Sequence, residues 1–117
     1  MTESFTLREE VAKLHANMCN GIADMTRILI IYTLADEPKN VSELAKILEL
    51  PQPTVSRHLK IMRDCGIVLA ERAGQVVMYR LKDARIVQAL DLLRSVMADT
   101  LEDRAALARE SSGALIR

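Results

Sequence analysis

The feature that most constrains this fold is the pair of prolines in Pro51-Gln52-Pro53, which stands between two short amphipathic segments. A residue before a proline is pushed out of the helical region, so a helix that begins near Val41 must end near Leu50. Pro53 favours a new helix, because its missing N–H costs nothing in a first turn. Residues 41–66 therefore predict two short helices joined by a tight turn, a helix-turn-helix.

Both predicted helices have an apolar face. Ser42 is expected to cap the first one, and its apolar face comprises Leu44, Ile47 and Leu48. In the second, Val55, Leu59 and Met62 form the inner stripe at about 100° per residue. Arg57 then projects almost opposite that stripe.

Residues 67–81 predict a β-hairpin. IVLAER and QVVMYRL are rich in Val, Ile, Leu and Tyr, and Ala73-Gly74 separates them. A helix-turn-helix followed by a hairpin is a winged helix, with Arg72 and Gln75 at the tip of the wing. The predicted fold class is mainly α with a small β-hairpin, in one winged helix-turn-helix domain over residues 1–117.

The outer face of the second helix and the wing are rich in hydrogen-bond donors, which suits double-stranded DNA. In the major groove Arg donates two hydrogen bonds to guanine, and Ser or Thr forms hydrogen bonds with base edges or phosphates. The residues expected to face bases are Gln52, Thr54, Ser56 and Arg57. Those expected to meet phosphates or the minor groove are Lys60, Arg63, Arg72 and Arg80, with Gln75 at the wing tip. The alternative is an ordinary solvated charged face.

The quoted segments resemble the ArsR/SmtB family of bacterial winged-helix repressors. The likeness runs from about Ile22, in IADMTRILIIYTL, to Leu81, and the family's usual Asp-Pro-Thr-Arg is here Asp24-Met25-Thr26-Arg27. The resemblance implies a homodimeric repressor that a small, unidentified effector releases from its operator. We expect that operator to be palindromic.

The resemblance does not bring a metal site with it. Metal-sensing members have Cys-x-Cys or Cys-x-x-Asp where this chain has Asn40-Val41-Ser42-Glu43. Zinc sensors place an Asp, two His and an acid where this chain has Asp83, Arg85, Val96 and Asp99. A closed zinc site needs imidazole or thiolate ligands, so we expect neither a metal nor a cofactor.

Helices are predicted on both sides of the core, over residues 1–20 and 83–110. Thr2 or Ser4 is expected to cap the first, and Asp24 caps a buried helix whose interior charge, Arg27, is expected to pair with a carboxylate. Both flanking helices have an apolar stripe that so small a domain cannot cover, which predicts a dimer interface. Its predicted members are Leu7, Val11, Leu14, Ile86, Leu90, Leu93 and Met97.

Charge is unevenly distributed along a chain whose net charge is zero. Residues 39–82 contain eight Lys/Arg and four acids, a balance of +4, and the remainder is at −4. This asymmetry is expected when one face meets phosphate, although chance clustering is the alternative. No stretch is long and apolar enough for a membrane span and the N-terminus is no signal peptide, so we expect a cytoplasmic protein without membrane contact.

Catalytic motifs are not recognisable, so an enzyme is not expected. His58 is interpreted as a structural histidine at the edge of the core. Cys19 and Cys65 are interpreted as small buried apolar residues, with a thiol sensor of redox state or soft metals as the alternative. A rival for the whole domain is a winged helix used for protein–protein contact or dimerisation without DNA.

Overall fold

A computed structural model describes the backbone of residues 6–116 and the side chains of residues 6–109. The chain divides into two compact units after Ala84. The first contains α1 (Leu7–Leu14), α2 (Asn20–Ile22), α3 (Met25–Leu34), α4 (Val41–Leu48), α5 (Gln52–Asp64), β1 (Val68–Ala73) and β2 (Val76–Leu81). The second is the helix α6 (Arg85–Ile116).

The mainly helical winged helix-turn-helix expected from the sequence is confirmed. Helix α5 packs on α3, α4 and β1, and the two strands form one antiparallel hairpin. The fully buried residues lie in α3, α4, α5 and the start of the wing: Ile30, Ile31, Leu44, Val55, Leu59, Met62, Ile67 and Val68. The predicted inner stripe of α5 is therefore correct in all three members.

The turn between α4 and α5 follows from the prolines. Glu49 takes the left-handed conformation, with φ of 56° and ψ of 46°, and ends α4 two residues before Pro51. Such a conformation is uncommon outside glycine. Pro51 is the N-cap residue of α5, and Pro53 lies in its first turn, where no N–H is needed.

Several predicted details of these helices are wrong. Asn40, not Ser42, caps α4, because Asn40 and Glu43 each accept from the other's backbone N–H (2.8 and 3.0 Å) in a capping box. Ile47 is exposed, because the buried face of α4 centres on Leu44 and Ala45. The helix that Asp24 caps, α3, is buried on one side only: Ile30, Ile31 and Leu34 are buried, whereas Met25 and Leu29 are exposed.

The first helical segment is not one regular α-helix. Helix α1 is followed by a π-helical turn, His15–Cys19, and then by α2. Thr6 caps α1 in a capping box with Glu9; Thr2 and Ser4 lie outside the described residues. Gly21 is buried inside α2, and a Cβ there would overlap the Ile67 side chain. Glycine is required for this close approach to the start of the wing.

Arg27 joins three elements through a buried guanidinium. Its Nε donates to the carbonyl oxygen of Gly21 (2.9 Å), its Nη2 to that of Asn20 (3.1 Å), and its Nη1 lies 3.3 Å from His58 Nδ1. The prediction of a carboxylate partner is wrong, because two backbone carbonyls of α2 and the His58 ring on α5 contact the guanidinium instead. His58 is buried between this guanidinium and Asp24, whose Oδ1 lies 4.0 Å from Nδ1, as expected for a structural histidine.

Asp24 is the N-cap residue of α3, as predicted. Its Oδ1 accepts from the N–H groups of Thr26 (2.8 Å) and Arg27 (3.3 Å). Loss of solvent acts to raise the pKa of Asp24, but these two hydrogen bonds and the nearby His58 and Arg27 side chains outweigh it. The pKa of Asp24 is therefore below its ordinary value.

The Arg27→Ala variant should lose about 3 kcal/mol of unfolding free energy, because each buried acceptor left without a donor costs roughly 1–3 kcal/mol. Urea unfolding followed by circular dichroism measures this. The control is Arg57→Ala, an exposed residue on α5, which should stay within about 0.5 kcal/mol of wild type. Equal stability of the two variants would contradict the role of Arg27.

Candidate nucleic-acid interface

The outer face of α5 is polar and exposed. Ser56, Arg57, Lys60 and Arg63 are exposed, and Thr54 is half-buried. These side chains lie opposite the fully buried Val55, Leu59 and Met62. The amphipathic geometry predicted for this helix is therefore present, and its polar side faces solvent.

A cleft of about 520 Å³ separates α5 from the wing. The residues that line it are Pro53, Ser56, Arg57, Lys60, Arg63 and Tyr79. Three of them are cations and none is an acid, so the cleft favours an anion. Its lining of hydroxyls and cations suits a backbone phosphate better than a small apolar ligand.

Tyr79 is a residue that the sequence analysis did not select. Its backbone N–H and C=O pair with Lys39 (2.8 and 3.0 Å) on one side, and Ala70 of β1 is its partner on the other. Tyr79 is thus held from both edges, and its side chain lies in the cleft beside the cations of α5. Strand alternation could have indicated its face, but the isolated bridge to Lys39 has no sequence signal.

The wing has a two-residue turn, as predicted, but its residues are Gly74-Gln75 rather than Ala73-Gly74, because β1 extends one residue further. Ala73 pairs with Val76, and Gly74 adopts a positive φ of 67° between them. Tight hairpin turns require this conformation, which glycine adopts at low cost. Arg72 and Gln75 are exposed at the tip, where the sequence analysis expected them.

Two of the other predicted contact residues already have partners. Gln52 Nε2 donates to Ser42 Oγ (3.1 Å), which links the first turn of α5 to α4. Arg80 forms an ion pair with Glu71 of β1. Because side chains alternate along a strand, Arg80 and Tyr79 face opposite sides of the hairpin, and Arg80 lines a second cleft with Glu37 and Pro38.

The thiols are less buried than the sequence interpretation assumed. Cys19 is exposed at the end of the π-helical turn, and Cys65 is half-buried at the end of α5. Asn20 Nδ2 lies 3.9 Å from Cys65 Sγ, so the two segments are in contact. In the described part of the chain, no three His, Cys, Asp or Glu residues are placed to share a metal ion.

Exposed apolar side chains recur on α1 and, separately, on α6. On α1 they are Leu7, Val11 and Leu14; on α6 they are Leu92, Leu93, Val96, Met97, Leu101 and Leu107. Of the predicted dimer residues on α6, Ile86 is half-buried and Leu90 only 5% exposed, so Leu90 has almost no surface left for a partner. Between residues 6 and 116 no helix combines the length and apolarity of a membrane span.

Comparison with known proteins identifies related regulators. The family model described as "Bacterial regulatory protein, arsR family" matches residues 24–69. The transcriptional repressor SmtB of Mycobacterium tuberculosis is 39% identical over 74 residues, which are 63% of this chain and 55% of SmtB. The transcriptional regulator CmtR of Mycobacterium bovis is 34% identical over 99 residues, 84% of each chain.

The solved structures agree with these relatives on the fold. The crystal structure of the transcriptional repressor BigR from Xylella fastidiosa superposes with a TM-score of 0.63 at 29% identity. The superposition covers 78% of this chain and 96% of the BigR chain. The matched family segment extends from the cap of α3 through α5 to the first residues of β1, and therefore includes the whole helix-turn-helix.

Proposed function

This chain belongs to the ArsR family of bacterial regulatory proteins, and from that premise we propose that it is a dimeric, sequence-specific DNA-binding repressor. A small effector would release it from a palindromic operator. The function is regulatory rather than catalytic, and its place is the cytoplasm, where the DNA is.

The observation that supports this best is the cleft between α5 and the wing. Arg57, Lys60 and Arg63 bring three positive charges to one side of a molecule whose net charge is zero. Phosphate contacts supply affinity and orientation, while base contacts supply specificity. The basic cleft provides phosphate contacts, and the exposed polar face of α5 beside it provides base contacts.

The contacts divide by position on the helix. Thr54, Ser56 and Arg57 lie in the first half of α5 and face base edges, with Gln52 beside them once it leaves Ser42. Lys60, Arg63 and Tyr79 hold a backbone phosphate within the cleft. Arg72 and Gln75 reach a neighbouring phosphate or the minor groove from the wing tip. Arg80 is engaged by Glu71.

Dimerisation is supported by the exposed apolar residues of α1 and α6. Contiguous exposed apolar surface on a soluble protein commonly marks an interface. Two copies related by a twofold axis would present two α5 helices to successive major grooves, which is why we expect a palindromic operator.

A protein-interaction winged helix is the rival function, and a simple experiment separates the two. Gel shift on random duplex DNA at low and high salt should show binding that weakens steeply as salt rises. A domain devoted to protein contact would show no retardation at either salt concentration.

Arg57→Ala should weaken binding to the operator, selected from a random duplex pool, by about 1–3 kcal/mol while leaving the fold intact. Arg72→Ala should instead weaken binding to operator and scrambled duplex alike, and reduce the salt dependence by about one phosphate contact. Fluorescence anisotropy at several salt concentrations measures both. Operator affinity of Arg57→Ala within twofold of wild type would show that the assigned groove face is incorrect.

Leu93→Glu should dissociate the dimer and abolish operator binding, since one subunit covers only a half-site. Leu93 is an exposed apolar residue of α6, so a charge there opposes association without disturbing the buried core. Sedimentation at micromolar concentration measures the assembly, with Gln88→Glu, an exposed polar position of the same helix, as the control. A monomeric wild-type protein would refute the dimer.

The thiols are the side chains with the most distinctive sensing chemistry. Cys65 ends α5 next to Gly66, so a new bond at its sulfur could move α5. Cys19 ends the π-helical turn, so a new bond there could move α1. An effector must bind the DNA-free and DNA-bound forms with different affinity. Trivalent arsenic and persulfide donors are therefore the first inducers to test.

Arsenite or a persulfide donor should release operator from wild type but not from the Cys19→Ser/Cys65→Ser double variant. Anisotropy of labelled operator during titration measures release, and each single variant shows which sulfur is needed. Zn²⁺ serves as the control metal and should release neither protein. Equal responses of wild type and double variant would exclude the cysteines as sensors.

A further inference from the structure

The wing contains an arginine that is neutralised within its own hairpin. Arg80 Nε donates to Glu71 Oε1 (2.8 Å), and Nη2 lies at the same distance from that oxygen. Glu71 pairs with Met78 across the hairpin, so Arg80 is its diagonal neighbour on one face. One edge of the guanidinium is therefore occupied by a carboxylate.

The surroundings of this pair differ from those of the cleft beside α5. Arg80 lines a second cleft, of about 320 Å³, whose charged residues are Glu37, Glu71, Arg72 and Arg80. Glu37 itself pairs with Lys39 (2.9 Å). Acids thus balance the positive charge on this face of the wing, whereas the charged residues that line the cleft beside α5 are all cations.

A carboxylate oxygen and a phosphate oxygen accept from the same guanidinium edge, so they compete for it. The side chains of Arg80 and Glu71 are 43% and 60% exposed, which means that water and salt reach the bridge and that it can open. While the bridge is closed, the Nε–Nη2 edge of Arg80 is not available to a DNA phosphate.

We propose that Glu71 is an internal competitor of the operator phosphate at Arg80, and that it limits the affinity of the wing for DNA of any sequence. The proposal rests on the proposed DNA-binding function. Because a phosphate contact contributes equally on every sequence, Glu71 lowers the affinity for operator and for other DNA alike. Discrimination between them is left to the base contacts of Arg57 and its neighbours.

The test is Glu71→Gln, with binding to a scrambled duplex measured from low to moderate salt. Freeing Arg80 adds one phosphate contact per subunit, and each contact steepens the slope of log K against log salt by about 0.9. For a dimer we expect a slope steeper by about 1.8, and affinity at low salt several-fold higher than wild type.

Two further variants separate this effect from a change in net charge. Glu10→Gln, an exposed acid of α1, changes the charge equally and should leave the slope unaltered. The Glu71→Gln/Arg80→Gln double variant should return to the wild-type slope, because the freed cation is gone. Circular dichroism checks that all variants fold.

The experiment distinguishes failure of the proposed role of Glu71 from failure of the proposed DNA-binding function. A wild-type protein that fails to bind duplex DNA refutes the DNA-binding function itself. Wild-type binding combined with an unchanged slope in Glu71→Gln, or with lower affinity, overturns the role of Glu71 and leaves the ion pair as a brace of the hairpin.

Discussion

Helix α5 keeps its position because of one buried cation, the guanidinium of Arg27. Arg27 of α3 donates to the Asn20 and Gly21 carbonyls of α2 and contacts His58 on α5, which is 31 residues away in sequence, so three helices meet at a single guanidinium. A buried charge is tolerated only where acceptors surround it, and this requirement holds α2, α3 and α5 together. His58 is the neighbour of Arg57 in the chain. The orientation of the polar face of α5 is thus tied to the interior.

Local charge, rather than the overall balance, is what suits the surface to DNA. The chain has 16 basic and 16 acidic residues, yet Arg57, Lys60 and Arg63 line their cleft without an acid among its lining residues. On the opposite face of the wing, carboxylates compensate the cations. The hairpin therefore separates a surface that attracts phosphate from one that is close to neutral. Strand alternation alone produces this separation, since Tyr79 and Arg80 are adjacent in sequence.

Sequence reasoning succeeded where one local rule decided the outcome. The prolines set the turn, the spacing of Val55, Leu59 and Met62 set the buried side of α5, and Gly74 set the hairpin. It failed where two residues close in sequence could both cap a helix, as with Ser42 and Asn40 at the start of α4. It also failed where the partner is distant in sequence, as with Arg27 and His58 or Lys39 and Tyr79. Contact residues on α5 could be proposed from the pattern, but the ion pair that engages Arg80 depends on hairpin register.

The π-helical turn at His15–Cys19 has a consequence for how this chain could diverge. A π-turn closes over five residues instead of four, so it accommodates one more residue than an α-helix along the same axis. Deleting one residue there would therefore restore a regular α-helix and leave the stripe of Leu7, Val11 and Leu14 facing nearly its present direction relative to Gly21. A deletion within the regular turns of α1 would instead rotate the residues before it by about 100° and turn them away from that direction. The π-helical turn is thus a place where the length of this segment can change by one codon while its apolar side is kept.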